Sequence, residues 1–147
     1  MFCISEVQLS YTPKFKCSEL PTITEAQHAY NILLEHWDLN TIKLIEHFYV
    51  LLLSRSNKLL GIYEVSKGGF AGTVVDPKII FIAALKGCAS SLILAHNHPS
   101  GNLKPSQSDI SITKRLIEVG QILDLPVVDH LIVTEDGFLS FAEEGLL

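Results

Sequence analysis

The chain has 147 residues, 48% of them hydrophobic and 18% charged, which suits one domain with a filled core and excludes a disordered tail. It carries 11 basic residues against 16 acidic ones, a formal net charge of −5. Nucleic acid is held largely through Lys and Arg on phosphates, so direct DNA binding is not the expected function.

No apolar run reaches the ~18 residues that a membrane span needs. The start, "MFCISEVQLSYTPKFK", has neither a basic n-region nor a long apolar stretch, and no secretion signal is expected. Cys3, Cys17 and Cys88 are scattered and form no C-x-x-C pair, a pattern that fits a reducing compartment and a cytoplasmic location. Cys88 reads as a small core hydrophobe on a helix.

Residues 1–23 show no clear period and are expected to be an extended lead-in or an edge strand. "LPTITEAQHAYNILLEHWD" predicts a helix, with Thr24 as N-cap and Ala26, Ala29, Leu33 and Trp37 at helical spacing. His28 and His36 lie in it without ligand-type partners and read as structural or solvated. "EHFYVLLLS" and "NKLLGIYEVSKGG" predict two strands joined by a turn at 54–57, the first apolar throughout, as a strand covered on both faces should be. "DPKIIFIAALKGCA" predicts a helix capped by Asp76, with Pro77 at its first position. "SLILAH" is a buried strand. "PSQSDISITKRLIEVGQILD" is a long helix with Ile110, Thr113, Ile117 and Ile122 on one face. "PVVDHLIV" and "GFLSFAEEG" are two further strands. Interleaved strands and helices imply an α/β or α+β fold with one mixed sheet.

The chemistry concentrates in "LILAHNHPSGNLKPSQSD", Leu92 to Asp109. Residues i and i+2 of an extended segment point to one side, so His96 and His98 converge. Pro99 to Gly101 turn the chain, and Asp109 falls in the first turn of the next helix. Two imidazoles and a carboxylate suit Zn²⁺, leaving the fourth tetrahedral position for water. The competing reading is a capping box, Ser106-x-x-Asp109 with Asp in place of Glu, which needs no metal but leaves the histidine pair unexplained. The tripeptide His96-Asn97-His98 spells the name of a nuclease class only by coincidence. A metal-activated water also needs a carboxylate to take and return its proton. Glu64, in the apolar strand "LLGIYEV" before "SKGG", is the candidate, since apolar surroundings raise a carboxyl pKa; an exposed edge-strand position is the alternative.

His96, His98, Pro99, Ser106 and Asp109 together make H-x-H-P-x6-S-x-x-D, which resembles the JAMM motif of MPN+/JAB-domain zinc metalloproteases. The longer string "LILAHNHPSGNLKPSQSDISITKRL", with "EVSKGG", "DPKIIFIAAL", "PVVDHLIV" and "FLSFAEEG", is similar to the RadC-like JAB domain, a bacterial group often labelled DNA repair. The resemblance covers roughly residues 24–147 and implies a curved mixed β-sheet flanked by helices. It implies one Zn²⁺ per chain on His96, His98 and Asp109, with Glu64 as general acid/base and Ser106 beside the oxyanion. It further implies cleavage of a peptide or isopeptide bond, with a peptide or protein substrate lying along a strand between Gly68, Gly69 and the loop after His98. A non-catalytic metal-containing module serving DNA-processing partners is the second reading, and a nucleic-acid-binding repair factor the third. Asp129 and His130 point to opposite faces: either one is buried and the other at a rim, or one of them fixes the tautomer of a ligand imidazole. Oligomeric state is not readable.

Overall fold

The computed structural model describes residues 1–69 and 74–147. In chain order the elements are α1 (Ala26–His36), β1 (His47–Leu53), β2 (Leu59–Lys67), α2 (Pro77–Lys86), β3 (Ser91–Asn97), α3 (Gln107–Ile122), β4 (Val127–Thr134) and β5 (Gly137–Ser140). The strands form one mixed sheet in the order β2-β1-β3-β4-β5. β1 runs antiparallel to both β2 and β3, β3 and β4 are parallel, and β5 returns antiparallel to β4. The expected mixed sheet flanked by helices is what forms.

Strand alternation divides the core into two layers. Tyr49, Leu51 and Leu53 of β1, with Ile93, Ala95, Leu131 and Val133, pack against Ala29, Tyr30 and Leu33 of α1. Phe48, Val50 and Leu52, with Leu92, Leu94 and Val127, pack against Ile80, Phe81 and Ala84 of α2 and Leu116 of α3. β1 and β3 are buried along their whole length because each has helices on one face and a helix on the other. The even positions of β1 and β3 therefore face α2 and α3, and the odd positions face α1.

Local chemistry sets the helix starts. The Asp76 side chain accepts from the Lys78 amide at 2.9 Å and Pro77 opens α2, as the sequence predicts. α3 begins with a reciprocal pair: Ser106 Oγ accepts from Asp109 N at 3.0 Å, and Asp109 Oδ2 accepts from Ser106 N at 2.7 Å.

Three expectations change, and one open alternative narrows. α1 is capped one residue later than expected, at Glu25, because Thr24 Oγ1 lies 3.2 Å from His28 Nδ1 rather than on a free helix amide. Ile122 is 84% exposed, since Leu116 and Gly120 supply the inner face of α3 where it nears the sheet. Cys88 lies past the end of α2, exposed, with φ +55°. Of the two readings of the start, the edge strand falls away: the first 15 residues form no strand, and a short 3-10 turn at Cys17–Glu19 and one bridge, Thr22 to Lys58, precede α1.

Candidate metal centre

β3 ends at Asn97, and the chain there delivers the imidazoles of His96 and His98 on the α3 side of the sheet, beside the start of α3. His96 Nε2 lies 3.0 Å from His98 Nε2 and 3.2 Å from Asp109 Oδ1, and His98 Nε2 lies 3.1 Å from Asp109 Oδ2. These three residues can present one ligand atom each within 4.8 Å of one another. For bonds of about 2.0–2.2 Å, tetrahedral vertices stand about 3.3–3.6 Å apart, so the triangle is close to the size a zinc-like ion requires. The capping box and the ligand set are not alternatives. Through the same capping bonds, α3 holds the Asp109 carboxylate against its own N-terminus and turns Oδ1 toward His96.

The donor chemistry also fits a cation. His98 Nδ1 lies 2.6 Å from Asn102 O, a carbonyl that only accepts, so Nδ1 carries the proton and Nε2 is left with its lone pair. Two nitrogens and a carboxylate facing one another at these distances repel unless a proton or a metal ion lies among them. The Asp109 hydrogen bond accordingly raises the His98 pKa, outweighing the effect of burial. Burial would raise the Asp109 carboxyl, but hydrogen bonds from His96 and His98 dominate and hold it well below the usual carboxylate range.

A second carboxyl feels the charge of this cluster. Phe48 of β1 pairs with His96 across the β1–β3 ladder, and their rings stack at 5.8 Å. Two residues earlier on the same face, Glu46 is half-buried at the strand entrance. Burial raises its pKa, and the charges that act on it are those of His96, Asp109 and His98. Its backbone is fixed on both sides: Gly68 N donates to Glu46 O at 2.9 Å, and the next amide, His47 N, donates to Asn97 Oδ1 at 2.7 Å. Asn97 points to the other face of the sheet, where its Nδ2 donates to Ile42 O and Ile45 O at 2.7 and 2.9 Å.

The family model of the RadC-like JAB domain matches residues 23–146. The chain belongs to that family. A UPF0758 protein of Flavobacterium johnsoniae is 50% identical over 101 residues, 69% of this chain and 44% of that protein. UPF0758 proteins of Caldanaerobacter subterraneus and Clostridium acetobutylicum are 39% and 37% identical over 124 and 133 residues, covering 84% and 90% of this chain and 52% and 57% of theirs. The chain thus spans about half the length of the curated relatives it matches.

In this RadC-like JAB domain His96, His98, Asp109 and Ser106 come together at one strand end. Glu64 does not join them. It pairs with Tyr49 across the β1–β2 ladder, on the α1 face of the sheet, where its exposed carboxylate accepts from Tyr49 Oη at 3.4 Å and lies 3.5 Å from His47 Nδ1. The apolar surroundings expected for it are absent because β2 is an edge strand. Glu46 is the residue that sequence reasoning missed. Its signal was available: an acidic residue directly before an apolar strand, in register with the strand that ends in the histidines.

Asp129 and His130 are both buried, so neither lies at a rim. Asp129 accepts from Ser140 Oγ at 2.6 Å, His130 N at 2.7 Å and Ala142 N at 3.0 Å, which ties down the chain leaving β5. His130 reaches the centre instead, with Nε2 2.8 Å from His96 Nδ1. Burial above all, then the His96 charge, moves its pKa well below the ordinary histidine value.

Among the described residues, no helix is long and apolar enough to cross a membrane.

Proposed function

We propose that this domain is a zinc-dependent hydrolase of peptide or isopeptide bonds, with one Zn²⁺ per chain. The observation that carries the reading is the convergence of His96 Nε2, His98 Nε2 and Asp109 on one point, with the raised, half-buried carboxyl of Glu46 under their charge. His96, His98 and Asp109 would hold the ion, which when bound acidifies a water and polarises a carbonyl oxygen. Glu46, and not Glu64, takes the role of proton carrier. A carboxyl whose pKa is raised by burial accepts a proton from water and returns it to a leaving amine more readily. Ser106 Oγ accepts a hydrogen bond from the Asp109 amide, which leaves its own hydroxyl hydrogen to donate to an oxyanion beside the ligands. The substrate is a peptide or protein chain approaching past Gly68 and the loop after His98.

The test is metal stoichiometry by elemental mass spectrometry, together with hydrolysis of a quenched-fluorescence peptide library by the zinc-loaded protein. About one zinc per chain is expected, lost in the His96→Ala, His98→Ala double variant, with peptide cleavage lost in Glu46→Gln. Zinc without cleavage of any peptide or isopeptide-linked substrate would leave a metal-containing module and overturn the hydrolase reading. No zinc in wild type, even when it is supplied, would overturn the metal site itself.

A further inference from the structure

Behind His96 lies a row of hydrogen bonds, buried except where it reaches Asp109, that the proposed chemistry does not use. His96 Nδ1 meets His130 Nε2 at 2.8 Å, His130 Nδ1 meets Thr113 Oγ1 at 2.6 Å, and Thr113 Oγ1 meets Asp109 O at 2.6 Å. Thr113, His130 and His96 are all buried. The row starts at the backbone of one expected ligand and ends at the imidazole of another.

The direction of every proton in it follows from one fact. The Asp109 carbonyl can only accept, so the single hydroxyl proton of Thr113 is committed to it. Thr113 Oγ1 must then accept from His130, which puts a proton on His130 Nδ1. A second proton on His130 would make it an imidazolium with no anion touching it. Its ring is stacked on Phe141 at 4.7 Å and set edgewise to Phe48 at 5.5 Å, surroundings that oppose a charge. His130 Nε2 is therefore an acceptor, and His96 Nδ1 carries the proton that it accepts. What remains on His96 is a bare Nε2 facing His98 and Asp109.

We infer that Thr113 and His130 are positioning residues that set His96 in the Nδ1–H tautomer and hold its Nε2 lone pair ready for a metal ion. Thr113 also bonds to the helix turn that carries Asp109, so the same row ties the strand ligand to the helix ligand before any ion arrives. Partners of this kind behind a ligating imidazole typically contribute on the order of 10–100-fold in metal affinity. The inference rests on the proposed metal site, but the tautomer can be read without metal.

Two measurements test it. The first is the ¹H–¹⁵N long-range spectrum of the histidine rings in metal-free wild-type protein, where His96 should carry its proton on Nδ1. The second is zinc affinity by competition with a chromogenic chelator, for wild type, Thr113→Val and Thr113→Ser. Valine keeps the shape but removes the acceptor, which frees His130 to protonate at Nε2 and drive the His96 proton to the wrong nitrogen. Thr113→Val should bind zinc about 10–100-fold more weakly, with His96 moving toward the Nε2–H form, and Thr113→Ser should stay within about threefold of wild type. A wild-type His96 protonated on Nε2 would overturn the inference, whatever the variants do. So would a folded Thr113→Val protein with unchanged zinc affinity. Wild-type protein that shows the Nδ1–H form yet binds no zinc would support the hydrogen-bond order and overturn the metal reading alone.

Discussion

Asn97 stands between His96 and His98 but works on the opposite side of the sheet, and Asn97→Ala should unsettle the domain without touching either imidazole. The side chain makes three hydrogen bonds, all to main chain: from His47 N at 2.7 Å and to Ile42 O and Ile45 O at 2.7 and 2.9 Å. Alanine leaves one amide and two carbonyls without these partners. A buried polar group stripped of its partner costs ~1–3 kcal/mol. His47 and Ile42 are buried, whereas Ile45 is only half-buried and can be rehydrated, so the two buried groups set an expected loss of ~2–6 kcal/mol. That is a large part of the ~5–15 kcal/mol that holds a typical domain together. The assay is urea unfolding, read as a fall in midpoint at unchanged slope. Zinc stoichiometry below the new midpoint should stay at the wild-type value, because the imidazoles and the amide point to opposite faces. A loss below ~1 kcal/mol would show that the loop before β1 does not depend on Asn97, and would refute the reasoning.

Glu46→Gln should bind zinc normally and lose about 10²–10⁴-fold in peptide hydrolysis, whereas Glu64→Gln should keep turnover within about threefold; the reverse pattern in steady-state rates would return the proton-carrying role to Glu64. Zinc affinity should depend on pH through His98, whose pKa is raised chiefly by the Asp109 hydrogen bond. Above that raised value the competing proton is already gone and affinity is level; below it each unit of acid should weaken binding about tenfold, and a flat profile in chelator competition would contradict this. Gly120→Ala should cost ~1–3 kcal/mol in urea unfolding, because a Cβ there would collide with the Leu125 carbonyl oxygen. A thermal midpoint equal to wild type would mean that the α3–β4 turn yields freely.

The elements were legible because each had a local signature. β1 and β3 are unbroken apolar runs with turn residues at both ends, and α2 and α3 carry their caps in the sequence. The convergence of His96, His98 and Asp109 was equally legible, since i and i+2 on a strand and the third position of a capped helix have fixed directions. Glu46 was not, because its place depends on pairing between segments about 50 residues apart. Alternation alone cannot say which strand lies beside β3, and Glu64 offered the same local pattern of an acid at the end of an apolar run. Thr113 was read as one more position on a helix face. Only the packing of α3 over β4 sets its hydroxyl against His130. The misreading of Ile122 and Cys88 has a related cause: a helical period continues past the point where the helix leaves the sheet.

The tripeptide His96-Asn97-His98 shows why the register of β3 matters more to this site than any single side chain. Its alternation sends two imidazoles to the α3 face and one amide to the α1 face. The imidazoles meet Asp109, and the amide fixes the backbone from Ile42 to His47 on which Glu46 is carried. The two histidines and the proposed proton carrier thus come from β3 and from the entrance of β1, but both are placed by the same three residues. A slip of one residue would exchange the faces, turning Asn97 toward Asp109 and both histidines into the loop before β1. Burial of β3 on both faces is what forbids that slip: it would force Leu92 and Leu94 to trade layers with Ile93 and Ala95, whose neighbours are α1 side chains rather than Phe81 and Leu116. The apolar core therefore sets the geometry of the polar centre. Core substitutions in β3 should accordingly lower zinc affinity even where no ligand is altered.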